Sequence, residues 1–337
     1  MQALPGEARA AALGRVAAAL EAQEAAILEA NRLDLEHAPA DLPAATRQRL
    51  GLKAGKLQQL ATGIRAIAAM PDPIGNPLRK TEVAGGLVLQ QVTAPIGVLL
   101  IIFEARPDAL PQIAALALKS GNGLLLKGGK EAARSNRTLH RVFVEAMGPE
   151  VPAGLVQLVE TRDEIGDLLR HDDLIDLVIP RGSNALVKHI QAHTKIPVMG
   201  HADGICHIFV DREVDVAQAV AVCVDSKVDY PAACNAVEAI LVHRAHLETG
   251  VLDRITSALA EAGVKLHGGA RAAGELGLEA APSARHEYGA LAVTVELVDG
   301  LDAAIDYIHA NGSGHTDAII TEDPAAAAKF LSTVDSA

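Results

Sequence analysis

The sequence predicts an α/β protein built from two parallel-sheet units with helices packed on the sheets. From residue 96 onward, short apolar runs alternate with helical stretches. That order generates βαβ units with parallel strands, which take ligands at their carboxyl ends. Aromatic residues make up only 2% of the chain, with no Trp. A core of small aliphatic side chains suits helices packed closely on a sheet better than an aromatic-rich sandwich. At about 100–200 residues per domain, a chain of 337 residues is expected to form two domains.

Residues 7–31 read as one amphipathic helix, because Leu13, Val16, Leu20, Ile27 and Leu28 recur at roughly helical spacing among Ala and Glu. Residues 43–70 give another helical stretch, ended by the Pro71-Asp72-Pro73 breaker. The pattern then changes. Between Arg79 and Val92 two extended runs flank Gly85-Gly86, a hairpin standing apart from the helices.

GVLLIIF (97–103) is a continuous apolar run, as expected of a strand buried on both faces. Strands at 124–127, 155–159 and 176–180 follow, separated by helices at 109–119, 131–147 and 163–170, with a further helix at 184–193. A second series starts near Gly204: a strand through ICHIFVD, a helix at 214–228 and a loop to Asn235. It continues with a strand at 238–243, a helix at 246–262, pieces at 291–298, 302–310 and 316–321, and a helix from Pro324.

Half of the residues are hydrophobic, which excludes a disordered chain. The formal net charge of −12 disfavours a nucleic-acid partner but leaves room for a small anion bound by local positive charge. Three cysteines with no C-x-x-C suggest neither a zinc site nor a disulfide framework. No signal peptide is evident, and no apolar run reaches about 18 residues. A soluble, cytoplasmic protein without a membrane span is therefore expected.

The familiar nucleotide signatures are absent: GNGLLLKGGK (121–130) satisfies neither G-x-G-x-x-G nor the P-loop spacing. Lys119, Lys127, Lys130, Arg134 and Arg137 nevertheless form a basic stretch in an acidic chain. Lysines at a strand end beside Gly128-Gly129 can hold a ribose or an extra phosphate; solvated lysines are the alternative. Gly182-Ser183 opens a helix whose N–H groups favour an anion such as a pyrophosphate, although Ser183 or Asn184 fits a simple N-cap equally. His189 and His193 lack the Glu of H-E-x-x-H, so a solvated helix face is the expectation and no metal site is assigned. Cys206 and Cys223 lie in apolar runs and read as inert core thiols. Cys234 lies in the small-residue loop PAACNA and is a candidate nucleophile, with an inert loop thiol as the alternative.

Three stretches taken together, 94–136, 176–211 and 230–243, resemble the γ-glutamyl phosphate reductases, also called glutamate-5-semialdehyde dehydrogenases. The helical N-terminus and HEYGALAVTVELVDG (286–300) are similar too, and the wording is nearest to the reductase half of Δ1-pyrroline-5-carboxylate synthetases. The family belongs to the aldehyde dehydrogenase superfamily. The resemblance implies an aldehyde dehydrogenase-like fold: a Rossmann-like cofactor domain (1–78 and 93–203), a protruding oligomerisation hairpin (79–92) and a catalytic α/β domain (204–337).

By the same resemblance Cys234 is the catalytic nucleophile. It attacks γ-glutamyl phosphate to form a thioester, which NADPH reduces to glutamate 5-semialdehyde in proline biosynthesis. Lys127 corresponds to the adenosine-ribose contact, Lys130 to the 2′-phosphate, Gly182 and Ser183 to the pyrophosphate turn, and Glu287 to the nicotinamide-ribose contact. Arg106, Asn235 and His201 are assigned to the substrate, a homo-oligomer is implied, and glutamate 5-kinase is a functional link.

Two departures carry information. Where hydrolytic aldehyde dehydrogenases hold a water-activating Glu, VMGHADG (198–204) has none, which favours transfer to phosphate over water. The superfamily's oxyanion-holding Asn is also missing. FEARP (103–107) stands near its place, so Arg106 is assigned to the substrate's phosphate or carboxylate, and the Cys234 backbone N–H to the oxyanion. The family continues past the position of Ala337, so a C-terminal truncation with an unpaired sheet edge and weak turnover is expected. The alternative functions are an aldehyde-oxidising dehydrogenase and a non-catalytic NADP-binding or oligomer-regulating chain.

Overall fold

A computed structural model describes residues 4–42, 44–160, 163–182, 184–200 and 203–336. The chain falls into two units, Met1–Ala202 and Asp203–Ala337.

The stretch expected as one helix over 7–31 forms two, α1 (Gly6–Ala22) and α2 (Glu24–Glu36), jointed at Gln23. The bend is slight, since Gln23 N–H still bonds the Ala19 carbonyl at 2.9 Å. It accompanies a change in what the helix buries: α2 turns Asn31 and Asp34 inward beside Ile27 and Ala30. Asn31 Nδ2 donates to the Leu50 carbonyl at 2.9 Å, and Asp34 Oδ2 accepts from the Ser135 N–H at 2.7 Å. Buried polar groups require such partners. The helical stretch expected over 43–70 likewise divides, into α3 (Ala44–Leu50) and α4 (Lys56–Ala69), residue 43 lying outside the described residues. Gly55, at φ +77°, takes a left-handed conformation that no helix interior accommodates.

β1 (Pro77–Ala84) and β2 (Leu87–Val92) form the antiparallel hairpin around Gly85-Gly86, with Thr81 opposite Leu89. Nearly every residue of it is exposed, including Leu78, Leu87 and Leu89.

β3 (Val98–Phe103), α5 (Ala109–Lys119), β4 (Gly123–Lys127), a 3₁₀ turn (Lys130–Ala132), α6 (Ala133–Met147), β5 (Val156–Val159), α7 (Asp163–Leu168), β6 (Leu177–Arg181) and α8 (Asn184–His193) then alternate. The four strands are parallel in the order β5-β4-β3-β6. The chain steps from β3 to β5 in one direction and returns to place β6 on the other side of β3. The loops leaving β3 and β6 therefore diverge, and ligands bind in the crevice such a reversal creates. Leu99, Ile101 and Phe103 pack under the helices of one face, and Leu100 and Ile102 under the other, as the unbroken apolar run requires.

The second unit contains β7 (Cys206–Val210), α9 (Val216–Val228), β8 (Val237–His243), α10 (His246–Thr249), α11 (Val251–Glu261), β9 (Lys265–Gly268), α12 (Ala272–Leu276), β10 (Ala292–Val298), α13 (Leu301–Asn311), β11 (Asp317–Ile320) and α14 (Pro324–Thr333). Its sheet is parallel, ordered β11-β7-β8-β10-β9. Gly250, at φ +76°, splits the helix expected over 246–262. β9 and α12 were not expected from the sequence. Strand β9 is four residues long and is defined by its main-chain pairing with β10, Lys265 opposite Ala292. All four Phe residues are buried, two in each unit. Among the described residues, no helix is long and apolar enough to cross a membrane.

Candidate active site

In the second unit the chain leaves α9 at Val228, consistent with Pro231 disfavouring helix at Tyr230. Two tight turns follow, closed by Ala233 N–H to the Tyr230 carbonyl (2.9 Å) and Ala236 N–H to the Ala233 carbonyl (3.1 Å). Cys234 and Asn235 are exposed in the second turn, and burial resumes at Ala236. Gly204 packs against Cys234 from below: a Cβ on Gly204 would lie 2.6 Å from the Cys234 carbonyl oxygen and 3.0 Å from its Cα. Because the obstructing atoms are backbone, only glycine permits this approach.

Gly204 N–H donates to Glu287 Oε2 at 3.2 Å, and Cys206 Sγ donates to the Cys234 carbonyl at 3.2 Å. Cys234, Asn235 and Glu287 thus come together on loops entering β7, β8 and β10. Burial pushes the Cys206 thiol up to about 12, with the Asp317 charge adding to it, and burial does the same to Cys223. Of the three sulfurs only Cys234 is exposed. Cys206 and Cys223 are core thiols, as their apolar runs predict.

Two buried charges lie beneath this loop cluster. Lys227 Nζ donates to Glu238 Oε2 (3.0 Å) and to the Val237 carbonyl (2.8 Å), with Lys227 fully buried and Glu238 1% exposed. Glu238 also accepts from Tyr288 N–H (3.1 Å, to Oε2) and Gly289 N–H (3.2 Å, to Oε1). Burial raises the Glu238 carboxyl and lowers the Lys227 amine, and their mutual attraction opposes both shifts. Sequence reading missed this pair. The available signal was a Glu in the otherwise apolar run 237–242; nothing local marks Lys227, which follows Asp225 and Ser226 in α9.

In the first unit, Lys127 is the last residue of β4, and Arg106, Lys130 and Gly182 follow strands, all at the carboxyl end of the sheet. Arg106 is exposed after β3. The preceding Ala105 takes φ +39°, a left-handed conformation costly for alanine, and its N–H donates to Glu131 Oε1 at 2.7 Å. Glu131 therefore ties the Arg106 loop to the turn after β4, a contact the sequence did not suggest.

Lys127 ends β4 at 6% exposure, with Nζ donating to the Gly128 carbonyl at 2.5 Å, whereas Lys130 is exposed. A Cβ on Gly128 would lie 2.1 Å from Asn136 Nδ2, and the buried Asn136 Oδ1 has no hydrogen-bond partner. The rest of the basic stretch has structural partners. Lys119 caps carbonyls of Ala68 and Met70, Arg134 meets Asp34 (3.5 Å), and Arg137 meets Glu160 (2.8 Å). Gly182 follows β6 directly and is exposed. Ser183 and His201 lie outside the described residues. His189 and His193 are exposed with ring centroids 4.2 Å apart. Among the described residues no cluster of His, Cys, Asp or Glu is arranged to hold a metal ion.

Comparison with known proteins agrees with this architecture. The aldehyde dehydrogenase family model matches residues 1–277, and the chain belongs to that family. Its relatives carry a narrower name. γ-Glutamyl phosphate reductase of Synechococcus elongatus is 47% identical over 329 residues, 96% of this chain and 76% of that protein. Δ1-Pyrroline-5-carboxylate synthase of Solanum lycopersicum is 51% identical over 338 residues, which cover 100% of this chain and 47% of that protein. The chain thus spans about half the length of the curated synthases it matches. The crystal structure of γ-glutamyl phosphate reductase from Thermotoga maritima superposes with a TM-score of 0.94 at 31% identity, over 99% of this chain and 82% of that one. The aldehyde dehydrogenase fold and the resemblance to the reductases, both expected from the sequence, are borne out.

Proposed function

We propose that this chain is an NADPH-dependent γ-glutamyl phosphate reductase of proline biosynthesis, working through a Cys234 thioester. The observation that carries the reading is the lone exposed thiol, presented on a small-residue turn that Gly204 supports and Glu287 flanks. In the proposed chemistry the Cys234 thiolate attacks the acyl carbon of γ-glutamyl phosphate and forms a C–S bond. The carbonyl electron pair moves onto oxygen, where the Cys234 N–H stabilises it. Its return breaks the bond to the phosphate oxygen, and inorganic phosphate departs. A thioester accepts a hydride more readily than a carboxylate does. Arg106 is assigned to the substrate's phosphate or carboxylate, with Asn235 and His201 as further substrate contacts.

The first unit fits a dinucleotide. Glycines clear the turn after β4, the Asn136 oxygen beside them lacks a partner, and lysine charge stands at the strand end. Lys127 and Lys130 would hold the adenosine ribose and its 2′-phosphate, Gly182 and Ser183 the pyrophosphate, and Glu287 the nicotinamide ribose. When bound, the cofactor supplies the hydride. In this reading the first unit is the cofactor domain and the second the catalytic one, while the exposed hairpin joins copies of the chain. Glutamate 5-kinase would be the functional partner that supplies the acyl phosphate.

The test is reduction of NADP⁺ by glutamate semialdehyde with and without phosphate, run beside Cys234→Ser. Phosphate-dependent turnover lost in the variant is the expected result. Turnover indifferent to phosphate would instead mark an aldehyde-oxidising enzyme. Absent turnover with slow, equal alkylation of all three cysteines would mark a non-catalytic chain.

A further inference from the structure

The Lys227–Glu238 pair has no role in the chemistry above, yet it is the most deeply buried pairing of a lysine or arginine with a carboxylate among the described residues. A buried pair is weak support for stability, because desolvating two charges offsets most of their attraction. Its presence here calls for another account, and the remaining bonds of the carboxylate supply one. Glu238 uses both oxygens on the backbone of one loop, accepting from Tyr288 and Gly289, the two residues that follow Glu287. The same loop is gripped a second time through Tyr288, whose hydroxyl meets Thr294 Oγ1 at 2.9 Å and whose ring stacks on His267.

Glu287 in turn accepts from Gly204, whose Cα lies against the Cys234 backbone. Glu238 is itself only four residues past Cys234, at the start of β8. One carboxylate therefore connects the strand that follows the nucleophile with the loop that carries Glu287.

We infer that Glu238 is a positioning residue: its carboxylate fixes the backbone at Tyr288 and Gly289, which sets Glu287 and, through Gly204, the Cys234 turn. Lys227 balances the charge of that carboxylate without touching the loop, and the two loop N–H groups orient it. This deepens the reading proposed above and rests on it only for the identity of the reaction.

The two partners should be unequal, and that is the test. Lys227→Met leaves both carboxylate oxygens available to the loop. Glu238→Gln puts an amide N–H against a backbone N–H and removes one acceptor. A double variant, Lys227→Met with Glu238→Gln, replaces the pair by neutral near-isosteres. Each is compared with the parent chain per folded molecule, by the iodoacetamide rate at Cys234 and by turnover of the semialdehyde.

Glu238→Gln and the double variant are expected to change the Cys234 alkylation rate and lower turnover, each by about tenfold or more, since small displacements of reacting groups are costly. Lys227→Met is expected to stay within about threefold on both, although its thermal midpoint falls. Equal effects from the two single changes, or a double variant that recovers both rates along with its midpoint, would overturn the assignment. So would loss of folding in all three variants, which would make the pair purely structural. If the expected asymmetry appears in alkylation while no variant or parent turns over the semialdehyde, the positioning role stands and the reductase reading falls.

Discussion

The two units place their candidate residues at opposite ends of their sheets. In the first, Arg106, Lys130 and Gly182 lie just past β3, β4 and β6 and Lys127 ends β4, at the carboxyl end where open α/β sheets collect ligands. In the second, Gly204, Cys234 and Glu287 occupy loops that enter β7, β8 and β10. The carboxyl end of that second sheet is not bare: Arg212, His243, Asp323 and Lys329 line a cavity of about 400 Å³ there. Asp323 already caps α14, and Lys329 already pairs with Asp302. In the proposed reading the carboxyl end of the first sheet is the binding end, and the entry loops of the second carry the covalent centre. Supporting contacts differ accordingly. The first unit exposes its cationic Arg106 and Lys130, whereas the second buries Lys227 and Glu238 beneath a loop.

If that division is right, substitutions in the second unit should abolish chemistry, and substitutions in the first should change binding alone. Cys234→Ser is the severest case. Turnover is expected to fall on the order of 10⁶-fold, as removal of a serine nucleophile does in a protease, while cofactor affinity, read by nucleotide fluorescence, stays the same. A cofactor affinity that collapsed with the thiol would erase the contrast.

The cysteines give the next largest effect. With pKa values pushed up to about 12, Cys206 and Cys223 stay protonated well above neutrality. At pH 8 only about 10⁻⁴ of each is thiolate, rising tenfold per pH unit. Mass spectrometry of iodoacetamide-treated protein should therefore find label at Cys234 alone, with the others reacting only as pH climbs or the chain unfolds. Arg106→Ala is smaller again. Loss of a charge-assisted bond to a phosphate or carboxylate should cost about 100-fold in kcat/KM for the acyl phosphate, and leave the Cys234 alkylation rate alone. An unchanged kcat/KM would remove Arg106 from the substrate's contacts.

Legibility from sequence followed the same divide. The helices Ala109–Lys119 and Asn184–His193 were readable to the residue, because strong apolar periodicity is bounded by residues of other habit. The joints at Gln23 and Gly250 were not, since periodicity continues across them; Gly250 turns on its own left-handed φ, and the break at Gln23 goes with partners distant in sequence. Asn31 and Asp34, for example, bond to Leu50 and Ser135. Strand β9 has no apolar run to read and exists through main-chain pairing.

In the site, Cys234 was visible because a thiol among alanines after a proline is locally anomalous. Glu238, Lys227 and Glu131 were not, because each acts on backbone N–H groups or charges brought to it by tertiary folding. Glu131 reaches Ala105, and Glu238 reaches Tyr288. Side chains that hold backbone elsewhere in the chain leave no spacing to recognise.

The smallest expected effect separates the two lysines of the first unit and so sharpens what binding means there. Lys130 is exposed and opens the 3₁₀ turn, so nothing in the fold depends on its amine. Lys130→Met should raise KM for NADPH about tenfold, the worth of one exposed charge-assisted bond to a 2′-phosphate, and leave KM for NADH unaltered. Lys127 differs in being buried with its amine on the Gly128 carbonyl. Lys127→Met strands that carbonyl, so the variant should lose thermal stability and weaken both nucleotides alike. Stopped-flow alkylation of Cys234 should be the same in both variants and the parent. Equal loss of NADPH and NADH in Lys130→Met would mean that the exposed lysine does not read the phosphate, and the cofactor preference would then have to come from another group at that end of the sheet.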